Sequence, residues 1–122
     1  MEQKCDLDFQ ALQDTIDVIG TRWRVQILCS ICECGNRKFR EIERSIPKLT
    51  TRMLSKELKE MEALGLITRT VYPTTPISVE YKETELCHTL IPIFDAMLDW
   101  GEKYGKNINI KNVNDNAESP TD

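Results

Sequence analysis

The fold is decided by residues 37–82, which read RKFREIERSIPKLTTRMLSKELKEMEALGLITRTVYPTTPISVEYK. Phe39, Ile42 and Ile46 recur at helical spacing and predict a short helix. Pro47 should stop this helix, because the residue before a proline is disfavoured in helical geometry. A tight turn over residues 46–49 and a longer helix then follow. This order of elements predicts a helix-turn-helix.

The longer helix should have one apolar and one basic face. Thr50 or Thr51 can cap its start, and Gly65 can end it in a left-handed conformation. The residues expected to face inward are Leu54, Leu58, Met61 and Leu64. The opposite face carries Thr51, Arg52, Ser55, Lys56 and Lys59. A solvated helix surface is the simpler interpretation of such a face, but its position after a tight turn favours a recognition helix.

The segment after Gly65 predicts a two-stranded wing. Apolar residues alternate with polar ones along it, as in half-buried strands. The apolar set is Ile67, Val71, Ile77, Val79 and Tyr81. Residues 73–76, with a proline at each end, would close the tip of the wing, where a plain surface hairpin is the alternative.

Together these elements predict a double-stranded DNA interface. Recognition helices present their N-terminal residues to base edges, and the planar fork of Arg52 suits the two acceptors of guanine. Wing residues would contact phosphates and fix the register. The predicted DNA-contacting residues are Arg40, Thr50, Thr51, Arg52, Ser55, Lys56, Lys59, Arg69, Thr74 and Thr75.

The charge distribution agrees with this placement, although the whole chain carries a net charge of −4. Residues 36–82 contain 10 Lys/Arg against 6 Asp/Glu, whereas both flanks are acidic. The local field rather than the net charge attracts a protein to nucleic acid. Chance variation in charge along a soluble chain is the competing explanation.

The flanking helices predict a homodimer. Residues 8–19 and about 85–104 form amphipathic patterns, and the second pattern is more apolar than one small domain needs. Core packing alone is the competing account. Residues 22–33 are apolar around most of the helix and should lie in the core. The predicted dimer interface comprises Phe9, Leu12, Ile16, Leu90, Ile93, Phe94, Met97, Trp100 and Tyr104.

The expected organisation is an N-terminal arm over 1–7, one winged helix-turn-helix domain with its dimerisation helices over 8–106, and a flexible acidic tail over 107–122. No run of about 18 apolar residues predicts a membrane span. The first residues lack the order of a secretion signal, which predicts a cytoplasmic protein.

The sequence predicts no enzyme, no cofactor and no metal. Neither a glycine-rich phosphate loop nor a nucleophile with its base can be found. Cys29, Cys32 and Cys34, with Cys87 or His88, could form a tetrahedral zinc site. Helical spacing points Cys34 away from the other two, however, and cysteine is a common apolar filler. His88 is expected on a helix surface.

The sequence resembles the HxlR-type winged helix-turn-helix regulators of bacteria, within the MarR-like class. The resemblance rests on residues 19–23 (IGTRW), 37–42 (RKFREI), 64–67 (LGLI), 71–73 (VYP) and 79–81 (VEY), and it covers nearly all of residues 5–105. It implies a mainly α-helical fold with a β-hairpin wing, dimerisation through the first and last helices, and a homodimeric, sequence-specific transcriptional regulator. A winged-helix module that binds protein instead of DNA is the alternative. Nothing in the sequence identifies an effector.

Three positions depart from the pattern of that family. Glu83 stands where an apolar residue is usual, and Cys87 where glycine is usual. Many members carry an oxidant-sensing cysteine before the first helix, commonly followed by proline. Cys5 holds the comparable place, which makes it the redox candidate, but Asp6 follows it and should disfavour the thiolate.

Overall fold

The computed structural model of the protein describes residues 5–108, which divide into two compact units between Leu90 and Ile91. The first unit contains α1 (Phe9–Ile19), α2 (Arg24–Cys32), α3 (Phe39–Ser45), α4 (Thr51–Ala63), β1 (Ile67–Tyr72), β2 (Ser78–Glu83) and α5 (Glu85–His88). The second contains α6 (Ile91–Tyr104) and a 3₁₀ turn at Gly105–Asn107. The described chain is mainly helical with one antiparallel two-stranded sheet, which confirms the predicted fold class.

Helix α2 lies at the centre of the first unit. Ile27, Leu28 and Ile31 are fully buried, and the helix packs against α3, α4, α5 and β2. The prediction that this segment belongs to the core is confirmed. A helix enclosed by so many elements positions the helices and the wing that surround it.

The turn between α3 and α4 forms where the sequence predicts it. The N–H of Leu49 donates to the carbonyl of Ile46 at 3.4 Å, and Lys48 has a positive φ of 68°. Pro47 in the second position and a left-handed residue in the third match a type II turn. The buried side chains of Ile46 and Leu49 anchor both ends of the turn.

Helix α4 has the predicted boundaries. The Thr50 hydroxyl accepts the N–H of Met53 at 3.1 Å, and Gly65 after the helix has a φ of 80°. Leu54, Leu58 and Met61 are buried as expected. The prediction that Leu64 faces inward is wrong. The chain turns away at this last position, and Leu66 is buried in its place.

The two strands of the wing pair in one antiparallel register, from Ile67 opposite Glu83 to Tyr72 opposite Ser78. Ile67 and Tyr81, near the base of the ribbon, are buried. The expected half-burial is wrong for Val71 and Ile77, which are exposed. The outer part of the ribbon therefore presents both faces to solvent.

One predicted helix is interrupted. The sequence indicated a single helix over about 85–104, but α5 ends at His88 and α6 begins at Ile91. Pro92 explains the interruption, because it has no N–H to donate to the His88 carbonyl and its ring would clash with that carbonyl.

Two predicted segments fall largely outside the described residues, namely the N-terminal arm at 1–7 and the acidic tail at 107–122. Within residues 5–108, no helix is long and apolar enough to cross a bilayer.

Candidate nucleic-acid interface

The outer face of α4 brings five of the predicted contact residues together. They lie along an open concavity lined by Thr51, Arg52, Ser55, Lys56, Lys59 and Glu60. Thr51, Arg52, Lys56 and Lys59 are exposed, and Ser55 is half-buried. Residues spaced by three or four positions share one side of a helix, so the regular spacing of this set produces the surface.

Within the part of the chain that the structure describes, three cations on this surface pair with no carboxylate. Among residues 5–108, none of the ion pairs involves Arg52, Lys56 or Lys59. Basic residues elsewhere in the first unit differ, since Arg24 and Arg37 each form an ion pair with a glutamate. The α4 face therefore retains a positive charge that is available to an anionic partner.

Glu43 connects α3 with the first residue of α4, a contact that the sequence did not predict. Its carboxylate accepts a short hydrogen bond from the Thr51 hydroxyl and pairs with Arg40 at 2.8 Å. These two interactions, the first of them larger, hold the pKa of Glu43 below its ordinary value of 4.5. The hydroxyl proton of Thr51 and part of the Arg40 guanidinium are thus engaged within the protein.

The wing places its predicted contact residues on the surface. Arg69, Thr74 and Thr75 are all exposed. The Thr74 hydroxyl donates to the Pro76 carbonyl at 2.7 Å, so its proton shapes the tip of the wing. Because phosphate oxygens accept hydrogen bonds, Arg69 and Thr75 are the two of these three predicted residues whose side-chain donors remain available.

A buried arginine fixes α4 to the helices behind it. Arg24 is 4% exposed, and its Nε lies 2.9 Å from Glu57 and its Nη2 2.8 Å from Glu60, both on α4. Its Nη1 donates to the Val18 carbonyl of α1 at 2.7 Å. The sequence does not predict this network, because an arginine within an apolar helix gives no local indication of its partner.

The residues predicted for the dimer interface are mostly exposed. On α1, Leu12 is 52% exposed and Phe9 and Ile16 are more so. On α6, the exposed members are Ile93, Met97, Trp100 and Tyr104. Leu90 is half-buried. Phe94 differs from the other predicted members, because its side chain is only 2% exposed.

The five cysteines lie in different surroundings. Cys5 and Cys34 are exposed, and Cys87 is buried. Burial raises the pKa of Cys32, and the negative charge of Glu83 adds to this increase. Burial also raises the pKa of Cys87 to about 12. Since the thiolate is the reactive form, Cys32 and Cys87 are poor candidates for a fast oxidant sensor.

Comparison with known proteins supports the helix-turn-helix architecture. Residues 18–109 match the model of the HxlR-like helix-turn-helix family. An uncharacterized HTH-type transcriptional regulator of Methanothermobacter thermautotrophicus is 44% identical over 95 residues, spanning 78% of this chain and 72% of the relative. The regulator YdeP of Bacillus subtilis is 41% identical over 99 residues, spanning 80% and 77% of the two chains.

Solved structures show the same fold. The redox regulator HypR in its reduced form superposes with a TM-score of 0.72 at 39% identity, covering 77% of this chain and 92% of HypR. The reduced transcriptional regulator YodB from B. subtilis gives a TM-score of 0.67 at 28% identity, covering 88% and 100%. The chain belongs to the HxlR-like helix-turn-helix family of transcriptional regulators.

Proposed function

We propose that the protein binds double-stranded DNA sequence-specifically as a homodimer and regulates transcription from the bound site. The main support for this proposal is the outer face of α4. Arg52, Lys56 and Lys59 on that face have no carboxylate partner among the described residues. A row of unpaired cations is costly to keep together unless an anion neutralises it. A duplex supplies that anion along one side of a helix.

The contacts divide by their chemistry. Arg52, in the first turn of α4, is assigned to a base edge, and Ser55, half-buried on the same face, to a base or sugar nearby. Lys56 and Lys59 are assigned to phosphates, and Arg69 and Thr75 extend the phosphate contacts along the wing. In this arrangement Thr50 and Thr51 chiefly set the start of the helix, and Arg40 shares its charge between Glu43 and the DNA backbone.

Binding to selected duplexes tests the proposal. Fragments enriched from random duplex DNA should share a pair of related half-sites roughly 34 Å apart or a multiple of that distance. Their affinity should fall steeply with salt, because each neutralised phosphate releases a counterion and contributes about 0.9 to the logarithmic slope. If no sequence is enriched and binding is negligible at low salt, the winged-helix protein-interaction module becomes the better interpretation.

The dimer proposal rests on apolar side chains that α1 and α6 each leave exposed. Phe9, Leu12 and Ile16 form a row on α1 at spacings of three and four residues. No residue of α1 is buried in the single chain. A helix with a strongly apolar, uncovered face requires a partner, and a second copy supplies an identical face by two-fold symmetry.

Replacing Leu12 with glutamate should dissociate the dimer. We expect the dissociation constant to rise by about 100-fold or more, since removing a carboxylate from water costs several kcal/mol. Sedimentation analysis at several protein concentrations measures this change. Gln10→Glu is the matched control, because it adds the same carboxylate at an exposed position of α1 that lies away from the row of Phe9, Leu12 and Ile16. Equal dissociation constants for the two variants would contradict the proposed interface.

Redox control through Cys5 is the second part of the proposal. Cys5 is exposed. Of two structural relatives, HypR was solved in reduced and oxidized forms, and YodB in reduced and diamide-treated forms. Diamide or a peroxide should therefore weaken duplex binding by the parent and leave Cys5→Ser unaffected. An equal response of the two proteins would remove Cys5 from the proposal.

A further inference from the structure

A second site lies in the first unit, at the root of the wing. Cys32 at the end of α2, Glu83 at the end of β2 and His88 at the end of α5 place one sulfur, one oxygen and one nitrogen within 4.8 Å of one another. These three residues come from three separate elements. None of them is among the DNA-contacting residues assigned above.

We propose that Cys32, Glu83 and His88 bind one divalent transition-metal ion, with zinc as the preferred metal. Thiolate, imidazole and carboxylate are all ligands of zinc, at bond lengths of about 2.0–2.3 Å. Those lengths place donor atoms roughly 3.5 Å apart around a tetrahedral ion. Small side-chain rotations from the observed arrangement would close the three ligands around a metal. Binding would transfer the Cys32 thiol proton to solvent.

Glu83 is already oriented for this role. The guanidinium of Arg37 lies 3.2 Å from Oε1 of Glu83 and donates to the Ile31 carbonyl at 2.7 Å. The other oxygen, Oε2, faces Nε2 of His88 at 3.6 Å. Among the described residues Oε1 accepts no hydrogen bond, so the contact with Arg37 is an ion pair that orients the carboxylate. The second oxygen, Oε2, can coordinate a metal.

The remaining features of the site also fit a metal. A water molecule could occupy the fourth position of a tetrahedral ion, as at zinc sites with three protein ligands. Glu83 is nearly buried, whereas the His88 side chain is 50% exposed. His88 therefore provides the route by which an ion enters.

This ligand set differs from the cysteine set considered from the sequence. Cys34 is exposed and is not a member of the cluster. Metal binding would connect the end of α2 with the end of β2 and so stabilise the base of the wing.

Cobalt titration of the full-length, tag-free protein, freed of metal by a chelator, tests the proposal. We expect one Co²⁺ per chain and a thiolate-to-cobalt charge-transfer absorption, which zinc then abolishes by displacement. His88→Gln should weaken binding at least 10-fold, and Glu83→Gln should also weaken it, whereas Cys34→Ser should bind like the parent. Circular dichroism of the metal-free variants checks that each is folded.

Thermal melting provides an independent measurement. Zinc should raise the melting temperature of the parent and of Cys34→Ser, because the ion binds the folded state. The increase should be smaller in His88→Gln. The proposal is overturned if the parent shows no charge-transfer absorption, or if His88→Gln and Glu83→Gln both bind cobalt as tightly as the parent.

Discussion

Replacing Arg24 with alanine should lower the free energy of unfolding by about 3–5 kcal/mol, the loss typical of breaking a buried ion pair from one side. The substitution would leave Glu57, whose side chain is 9% exposed, without its cation. It would also remove the donor to the Val18 carbonyl. Small domains are stable by only about 5–15 kcal/mol, so this loss is a large share of the total.

Urea denaturation at neutral pH measures this effect, and two variants serve as controls. Arg22→Ala should cost about 1 kcal/mol or less, since Arg22 is exposed and its guanidinium stacks 4.7 Å from the centroid of a Trp23 ring. The loss of unfolding free energy in Arg24→Lys should lie between the losses in those two variants. Lysine keeps the charge but cannot reproduce the forked contacts with Glu57 and Glu60. A loss below about 1 kcal/mol for Arg24→Ala would contradict the assigned network.

The same substitution should also weaken DNA binding. Arg24 joins α2 to two residues of α4 on successive turns, and thereby fixes the orientation of the helix that carries Arg52. A recognition helix that can tilt loses the geometry that a bidentate base contact requires. Stability and affinity should therefore decrease together in Arg24→Ala.

Local signals in the sequence were sufficient to predict the elements of the helix-turn-helix. Pro47 marked the end of α3, Thr50 the start of α4 and Gly65 its end, and the structure places all three as predicted. Such signals act over a few residues and depend on backbone geometry alone. The basic face of α4 was predictable for the same reason, because helical spacing fixes which residues lie together.

Contacts between distant residues were not predictable in this way. Arg24 pairs with partners 33 and 36 positions away, and Glu43 reaches across the turn to Thr51. Periodicity in one segment carries no information about which charged residue of another segment lies opposite. The grouping of Cys32, Glu83 and His88 likewise depends on how three elements meet.

One error could have been avoided. Pro92 lies inside the segment predicted as a single last helix, and a proline within a helical pattern signals an interruption before it. The apolar spacing of residues 86–104 continues across the break and hid it. The burial of Phe94 had no such signal, because its neighbours on α6 are equally apolar.

Replacing Arg52 with alanine should raise the dissociation constant for the selected duplex and relax the base preference at one position of each half-site. We expect a cost of about 1–3 kcal/mol per protomer, equivalent to roughly 5- to 150-fold for each half-site, because a bidentate contact to guanine is lost. Lys56→Ala should behave differently. It should weaken binding to all sequences alike and reduce the logarithmic salt slope by about 1 per protomer.

Fluorescence anisotropy with the selected duplex and with duplexes altered at single positions separates the two effects. Lys103→Ala is the control, since Lys103 is an exposed cation on α6 that pairs with Asp99 at 3.1 Å. The affinity of Lys103→Ala for the selected duplex should equal that of the parent. If Arg52→Ala keeps the base preference of the parent, the assignment of Arg52 to a base edge is wrong.

Amide chemical shifts recorded with and without the selected DNA test most directly whether the outer face of α4 contacts the duplex. Assigned spectra of the labelled homodimer should show their largest changes over residues 51–59, with further changes around Arg69 and Thr75. Changes confined to other parts of the chain, with α4 unaffected at saturating duplex, would contradict the claim.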